Sequence, residues 1–187
     1  MKTNNKQITT LDMIYIALFG ILIGICSWIT VPGPVPFTLQ TFGVFLTVDV
    51  LGGKRGTIAV LLYIFIGLLG VPVFSGFRGG IGVLLGATGG YVLGFIFSTL
   101  IMWAFEKLNS KKLWIQTLSM ILGLLICYVF GTAWFLLVYT TNSGTIGLSA
   151  VLGLCVIPFL IPDCIKIVLV LALGKQLRKA LAKLQTR

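Results

Sequence analysis

Long apolar blocks, separated by short polar or glycine-rich segments, follow one another along most of the chain. A helix needs about 20 consecutive apolar residues to cross the hydrocarbon core of a bilayer. The pattern therefore predicts an all-α, polytopic membrane protein with a bundle of six spanning helices. The second and third are short enough to run partly in a loop that folds back into protein. The predicted spans are residues 11–30, 39–52, 56–71, 87–107, 113–140 and 150–178.

The predicted organisation is a single membrane domain over residues 1–187, without a soluble module or a linker long enough to separate two units. Residues 1–10 are polar, the apolar run after them is long, and no small-residue cleavage site follows it. These features argue against a cleaved signal peptide. We expect the first apolar block to be retained as a span, with both chain termini in the cytoplasm.

Only 10% of the residues are charged, whereas a soluble domain has roughly a quarter, so lipid is the expected solvent. The net charge of +10 follows from topology. With the N-terminus inside, twelve of the fourteen basic residues fall in cytoplasmic segments, as the positive-inside rule expects. This distribution suits contact with anionic lipid and argues against nucleic-acid binding. The twelve are Lys2, Lys6, Lys54, Arg55, Lys107, Lys111, Lys112, Lys175, Arg178, Lys179, Lys183 and Arg187.

The side chains needed for enzyme chemistry are scarce in this chain. It has no histidine, its four acidic residues are scattered, and its four cysteines stand singly in apolar runs. General acid–base pairs, zinc sites and Cys–His nucleophiles are therefore not expected. The glycines around Lys54 and Arg55 lack the frame of a phosphate-binding loop. We predict no catalytic residues, no metal and no cofactor, so uphill transport would need energy from another protein or an ion gradient.

Two charged residues interrupt the last apolar block. Asp163 and Lys166 are three positions apart, so they share one helical face. Each ion costs about 2.5–3.5 kcal/mol at the centre of a span, and such residues face the bundle interior. The pair can simply neutralise itself, or it can recognise a ligand. With Arg78 in an outer loop, the cavity would hold two cations and one anion, which suits a small anionic ligand with an amide- or urea-like head.

Residues 31–40 form a proline-rich outer segment. Three prolines at alternate positions favour a stiff, extended backbone. The segment carries the aromatic residue Phe37, and Thr38 and Gln40, whose neutral side chains can form hydrogen bonds. It is either a stiff linker or a flap that closes a pocket against water.

Small residues concentrate in two further places. Residues 74–91 are rich in glycine and can either bring backbone groups to a ligand or allow close helix packing. In the first span, Ala17, Gly20 and Gly24 form a small-residue stripe. It can pack inside the bundle or dock another membrane protein.

Several of these motifs, taken in order, resemble the BioY family, the biotin-specific substrate-binding subunits of energy-coupling-factor vitamin transporters. The resemblance covers nearly the whole chain. Ala87 stands where proline is common in that family, and Ile161-Pro162 where Pro-Gly usually precedes the aspartate. The residues that carry the resemblance are 35–41, 52–56, 70–74, 86–91 and 158–163 with Lys166.

The resemblance implies a bundle that captures biotin at an extracellular cavity and works with a transmembrane scaffold protein and two cytoplasmic ATPases. For biotin in this cavity, our hypothesis is that Asp163 accepts the ureido N–H groups and that Lys166 meets either the ureido oxygen or the carboxylate. Arg78 is the other cation for the carboxylate, and the sequence leaves open which cation meets which end. The stripe of Ala17, Gly20 and Gly24 would meet the scaffold. The implied neutral and aromatic contacts are Gln40, Thr38, Gly89, Gly90, Tyr91, Phe37, Phe74 and Phe77.

Other functions stay open at this point. Another small anionic vitamin would satisfy the same charges. A small channel or membrane-assembly subunit would need a continuous polar lining, which the spans lack apart from the pair in the last one. An intramembrane enzyme is disfavoured by the missing acid–base groups.

Overall fold

A computed structural model describes residues 8–33, 35–109, 112–144 and 147–185. Pro34 of the predicted flap and the basic residues Lys2, Lys6, Lys111 and Arg187 lie outside these ranges. Within them the chain forms eight helices and one two-stranded antiparallel ribbon. The elements are α1 (Thr10–Trp28), β1 (Thr30–Val31), β2 (Phe37–Thr38), α2 (Gln40–Leu51), α3 (Gly53–Leu68), α4 (Ile81–Leu85), α5 (Gly89–Asn109), α6 (Leu113–Ser143), α7 (Leu148–Cys155) and α8 (Ile157–Gln185).

Four helical stretches in the described part of the chain are long and apolar enough to cross a membrane. They are Thr10–Trp28, Gly89–Leu108, Leu113–Thr141 and Leu148–Leu181. The predicted second and third spans appear as α2 and α3, with 12 and 16 residues. At 1.5 Å per residue these reach only about 18 and 24 Å, short of the roughly 30 Å hydrocarbon core. The chain is a multi-pass membrane helical bundle.

The sequence pattern missed two features of this architecture. The short helix α4 lies in the loop between α3 and α5. The predicted sixth span is also divided, because Val156 leaves helical geometry between α7 and α8. Pro158 lies at the second position of α8, where a missing N–H costs little, and it cannot continue the hydrogen bonding of α7 across the break.

Helix α2 lies at the centre of the bundle and packs against α1, α3, α5 and α8. Small residues allow these close approaches. A side chain at Gly43 would begin 3.1 Å from Cys26 of α1, and one at Gly56 would begin 2.7 Å from the Val48 backbone. The central core around them includes Val44, Phe45, Val60 and Tyr63, all fully buried.

Charged groups tie the helices together at one end of the bundle. We name this end, which carries the α2–α3 turn and the C-terminal half of α8, the inner end. There Arg55 pairs with Asp12 at 3.0 Å, Arg178 pairs with Asp49, and the Glu106 carboxylate accepts the N–H of Gly53 at the start of α3. The opposite end, which carries β1 and β2, is the outer end.

Candidate functional site

A cavity lies at the outer end, enclosed by α2, α5, α6, α7, α8 and the two outer loops. Its charged side chains are Asp163, Lys166 and Arg78. The polar and aromatic wall also includes Gln40, Thr38, Phe74, Tyr91 and Tyr128. The cavity therefore brings together seven of the residues that sequence analysis assigned to a binding site.

The Asp163–Lys166 pair lies inside the bundle, as its helical spacing predicted. The two side chains are 4% and 5% exposed, and Lys166 Nζ donates to Asp163 Oδ1 at 2.7 Å. Pro162, inside α8, has no N–H to donate to the preceding turn. Because both ions are removed from water, each must be satisfied by protein or ligand groups.

Tyr128 of α6 completes the surroundings of this carboxylate. Its hydroxyl donates to Asp163 Oδ2 at 2.5 Å, and the residue is 7% exposed. Sequence analysis missed Tyr128. The available signal was a tyrosine in the middle of an apolar span, where a buried hydroxyl needs a partner.

Lys166 also contacts the predicted flap. Its Nζ donates to the carbonyl oxygen of Thr38 at 2.6 Å and lies 4.2 Å from the ring centroid of Phe37. The flap is more structured than predicted, because β1 and β2 pair Thr30 with Thr38 and Val31 with Phe37. Phe37 thus stands beside the cavity and over the ammonium, a cation–π arrangement.

Gln40 and Phe74 are held in the cavity wall by a second buried group. The Gln40 amide donates to the Tyr63 hydroxyl at 2.7 Å, which donates to the Val73 carbonyl at 3.2 Å. The Phe74 ring packs edge-on against Tyr63, with 5.6 Å between centroids. Tyr63, which sequence analysis also missed, therefore links α2, α3 and the glycine-rich loop.

Arg78 belongs to the wall through a tight turn. Its backbone pairs with that of Phe74 in both directions, at 2.9 and 3.3 Å. Its Nε donates to the Ser75 carbonyl at 3.1 Å. Among the described residues, no carboxylate lies within ion-pair distance of its guanidinium, so this exposed cation is available to an anion.

Phe77 does not reach the cavity, contrary to the sequence-based expectation. It is 63% exposed and stacks on Trp28 with 5.0 Å between ring centroids. The reason is backbone geometry, since Phe77 has a φ of 55°, a left-handed conformation rare for bulky residues. This turn directs Phe77 away from the wall to which its neighbours Phe74 and Arg78 belong.

Gly89 and Gly90 also lie outside the cavity wall. A side chain at Gly89 would collide with the backbone of Leu84, and one at Gly90 would collide with Trp134. Both glycines therefore serve close packing at the start of α5. Tyr91 does line the cavity, and its hydroxyl lies 3.1 Å from that of Thr132.

The small-residue stripe of α1 is divided between two surfaces. Gly20 and Gly24 are buried, and side chains there would begin 3.5 Å from the Ala59 carbonyl and from Val73. Ala17 is exposed. Internal packing thus accounts for the two glycines, and Ala17 alone lies on a surface open to a partner.

Nowhere in residues 8–33, 35–109, 112–144 and 147–185 do three His, Cys, Asp or Glu side chains come close enough to hold a metal ion.

Comparison with known proteins gives consistent matches along the whole chain. The BioY family model matches residues 1–183. The chain is 38% identical over 169 residues to the biotin transporter BioY of Thermotoga maritima, covering 90% of this chain and 96% of that protein. It is also 38% identical over 180 residues to the biotin transporter BioY2 of Lactococcus lactis, covering 95% and 94%.

One solved structure has the same fold. The crystal structure of the S-component for biotin from an ECF-type ABC transporter superposes with a TM-score of 0.79 at 28% sequence identity, covering 96% of this chain and 95% of that one. These similar proteins are transporters or transporter components, not enzymes. The same holds for this chain, a multi-pass protein of the cell membrane.

Proposed function

The chain belongs to the BioY family, and from that premise we propose that it captures biotin as the S component of an energy-coupling-factor uptake transporter. The observation that carries the proposal is the buried Asp163–Lys166 pair in the wall of the outer cavity. A buried ion pair that faces a cavity inside a span is a site for a polar ligand by default.

Biotin offers groups that match this wall. Its ureido ring has two N–H donors and one C=O, its thioether ring is apolar, and its side chain ends in a carboxylate. Asp163 keeps acceptor sites for the N–H groups, because each carboxylate oxygen has two lone pairs. Gln40, Thr38, Phe74 and Tyr91 supply the remaining polar and aromatic contacts.

The two cations take different ends of the ligand in this proposal. Lys166 already donates to Asp163 and to Thr38, so it has one N–H left for the ureido oxygen. The charge of Lys166 is balanced by Asp163, whereas that of Arg78 is not balanced by a neighbouring carboxylate in the described part of the chain. The biotin carboxylate therefore binds Arg78.

The flap, residues 31–40, opens to admit the ligand. The cavity has a volume of about 70 Å³, while pockets for small molecules hold roughly 300–1,000 Å³. Movement of the flap would break the bond from Lys166 to Thr38 and its contact with Phe37, and closure would exclude water again.

The proposed topology has six spans, α1, α2, α3, α5, α6 and α7–α8, in which α2 and α3 are completed by the segments that flank them, and both termini lie in the cytoplasm. Residues 1–187 form one membrane domain. The positive-inside distribution supports it, since Arg55, Lys107, Lys175 and Arg178 lie at the inner end. The cavity then faces outward, where the vitamin must be captured.

The proposed partners are a transmembrane scaffold protein and two cytoplasmic ATPases, which would supply the energy for uptake. Ala17 lies on the face of α1 proposed to meet the scaffold. The surrounding partner is the lipid bilayer, and the proposal involves no cofactor and no nucleic acid.

The test is a titration of the purified, detergent-solubilised protein with biotin, followed by tryptophan fluorescence or heat. Thiamine and riboflavin serve as control ligands. Saturable binding of biotin alone is the expected result. Folded protein that does not bind biotin would contradict the assignment. Binding of a different small anionic vitamin would instead indicate another ligand within the same transporter class.

A further inference from the structure

Tyr128 occupies an unusual position for a tyrosine in a membrane span. Its ring belongs to the central apolar core, and its hydroxyl is 2.5 Å from Asp163 Oδ2. A hydroxyl that donates to a carboxylate forms a charge-assisted bond, which is among the stronger hydrogen bonds in proteins. The direction is also determined, because an ionised carboxylate accepts and cannot donate.

The Asp163 carboxylate is thereby held from two sides. Lys166, one turn along the same helix, donates to Oδ1, and Tyr128, on α6, donates to Oδ2. Rotation about the terminal torsion of an aspartate is broad, so one donor alone would leave the carboxylate plane loosely defined. Two donors on different helices orient that plane and leave the second lone pair of each oxygen for another donor.

We infer that Tyr128 is a positioning residue for ligand recognition, which acts by orienting Asp163 so that both carboxylate oxygens present acceptors to a ligand with two N–H donors. The inference rests on the proposed function and deepens it. According to this inference, Tyr128 makes the site prefer a ligand whose ureido ring has both N–H groups over an analogue in which one N–H is blocked.

A purely structural tyrosine would behave differently. If the hydroxyl only linked α6 to α8, its removal would lower thermal stability but leave the ligand preference of the folded protein unchanged. If the hydroxyl bound the ligand directly, its contribution would persist without the Asp163 carboxylate. The three roles therefore separate in a double-mutant cycle that is measured with two ligands.

The experiment compares the wild type, Tyr128→Phe, Asp163→Asn and the double variant. Each is titrated with biotin and with a biotin analogue that is methylated on one ureido nitrogen. Tyr128→Phe keeps the ring in the core and removes only the hydroxyl. Tyr15→Phe is the matched control, since Tyr15 is a buried tyrosine in the inner cluster with Leu51 and Ala59.

We expect Tyr128→Phe to weaken biotin binding about tenfold and to weaken binding of the methylated analogue less, so that discrimination between the two falls. In the Asp163→Asn background, the same change should alter biotin affinity less than about twofold. The Tyr15→Phe control should bind both ligands as the wild type does.

Wild-type affinity and discrimination in Tyr128→Phe would overturn the inference and leave the proposed function intact. An equal loss in the Asp163→Asn background would also overturn it, because Tyr128 would then act independently of Asp163. A wild-type protein that does not bind biotin would refute the proposed function itself, and this inference with it.

Discussion

The two ends of the bundle use the same kinds of charged residues in different ways. At the inner end, Asp12 pairs with Arg55 and Asp49 with Arg178; each pair joins two helices, and the arginine side chains are 35% and 32% exposed. At the outer end, Asp163 and Lys166 lie on one helix, and both side chains are at most 5% exposed.

The contrast shows what a buried ion pair contributes in each place. The inner pairs connect α1 to α3 and α2 to α8, so they stabilise helix positions. The outer pair connects residues that α8 already holds together, and it lines a cavity. Its desolvation cost is consistent with the proposed role in ligand recognition.

The largest expected effect comes from removing the outer pair entirely. Asp163→Leu with Lys166→Met should abolish measurable biotin binding, at least about a hundredfold loss, because charged hydrogen bonds of about 1.5–3 kcal/mol each are removed. Thermal stability should fall by about 1–3 kcal/mol, because the Tyr128 hydroxyl and the Thr38 carbonyl lose their partners, although apolar replacement of the pair itself is often neutral or stabilising. Titration and thermal unfolding of the same sample check both. A folded variant that still binds biotin tightly would contradict the proposed role of the outer pair in ligand recognition.

Breaking one inner pair should lower the stability of the fold and leave biotin affinity unchanged. Asp49→Ala leaves Arg178 without its carboxylate and should destabilise the fold by about 1–2 kcal/mol, less than for a fully buried pair because the arginine is partly exposed. Thermal unfolding measures the loss. Biotin affinity of the folded fraction should not change, and a tenfold loss of affinity with normal stability would contradict the structural role of this pair.

The third prediction concerns Arg78, the exposed cation in the wall of the outer cavity. Arg78→Gln should weaken biotin binding about five- to tenfold, through loss of one charge-assisted bond to the carboxylate, with no change in unfolding temperature. The matching measurement uses a biotin amide, which lacks the carboxylate and should bind the variant and the wild type alike. An equal loss of affinity for biotin and for the amide would show that Arg78 does not act through the biotin carboxylate.

The smallest effect is expected at the other inner pair. Arg55→Gln should lower stability by only about 0.5–1 kcal/mol, because the glutamine amide can still donate a hydrogen bond to the Asp12 carboxylate. Asp12 keeps its capping contact with the Thr9 N–H. Thermal unfolding at low and high salt checks this value, and a loss of about 2 kcal/mol or more at both salt concentrations would contradict it.

Sequence reasoning located the buried Asp163–Lys166 pair and the three charged residues of the cavity wall, but not the tyrosines that hold this wall. Asp163 and Lys166 were identifiable because charges are rare in the spans. Tyr128 and Tyr63 were not, because their partners lie 35 and 23 residues away. Phe77 lies outside the described cavity wall, because a left-handed turn at this residue separates it from Phe74 and Arg78, and such a turn has no hydrophobic signature.

The sequence by itself determined that the chain is a membrane bundle, since apolar length and the cost of charge in lipid are local properties. It also determined that the pair at Asp163 and Lys166 faces inward, for the same energetic reason. Only the tertiary structure decided which glycines serve packing and which hydroxyl joins the carboxylate. Those outcomes depend on distances between helices remote in sequence, and no local pattern encodes such distances.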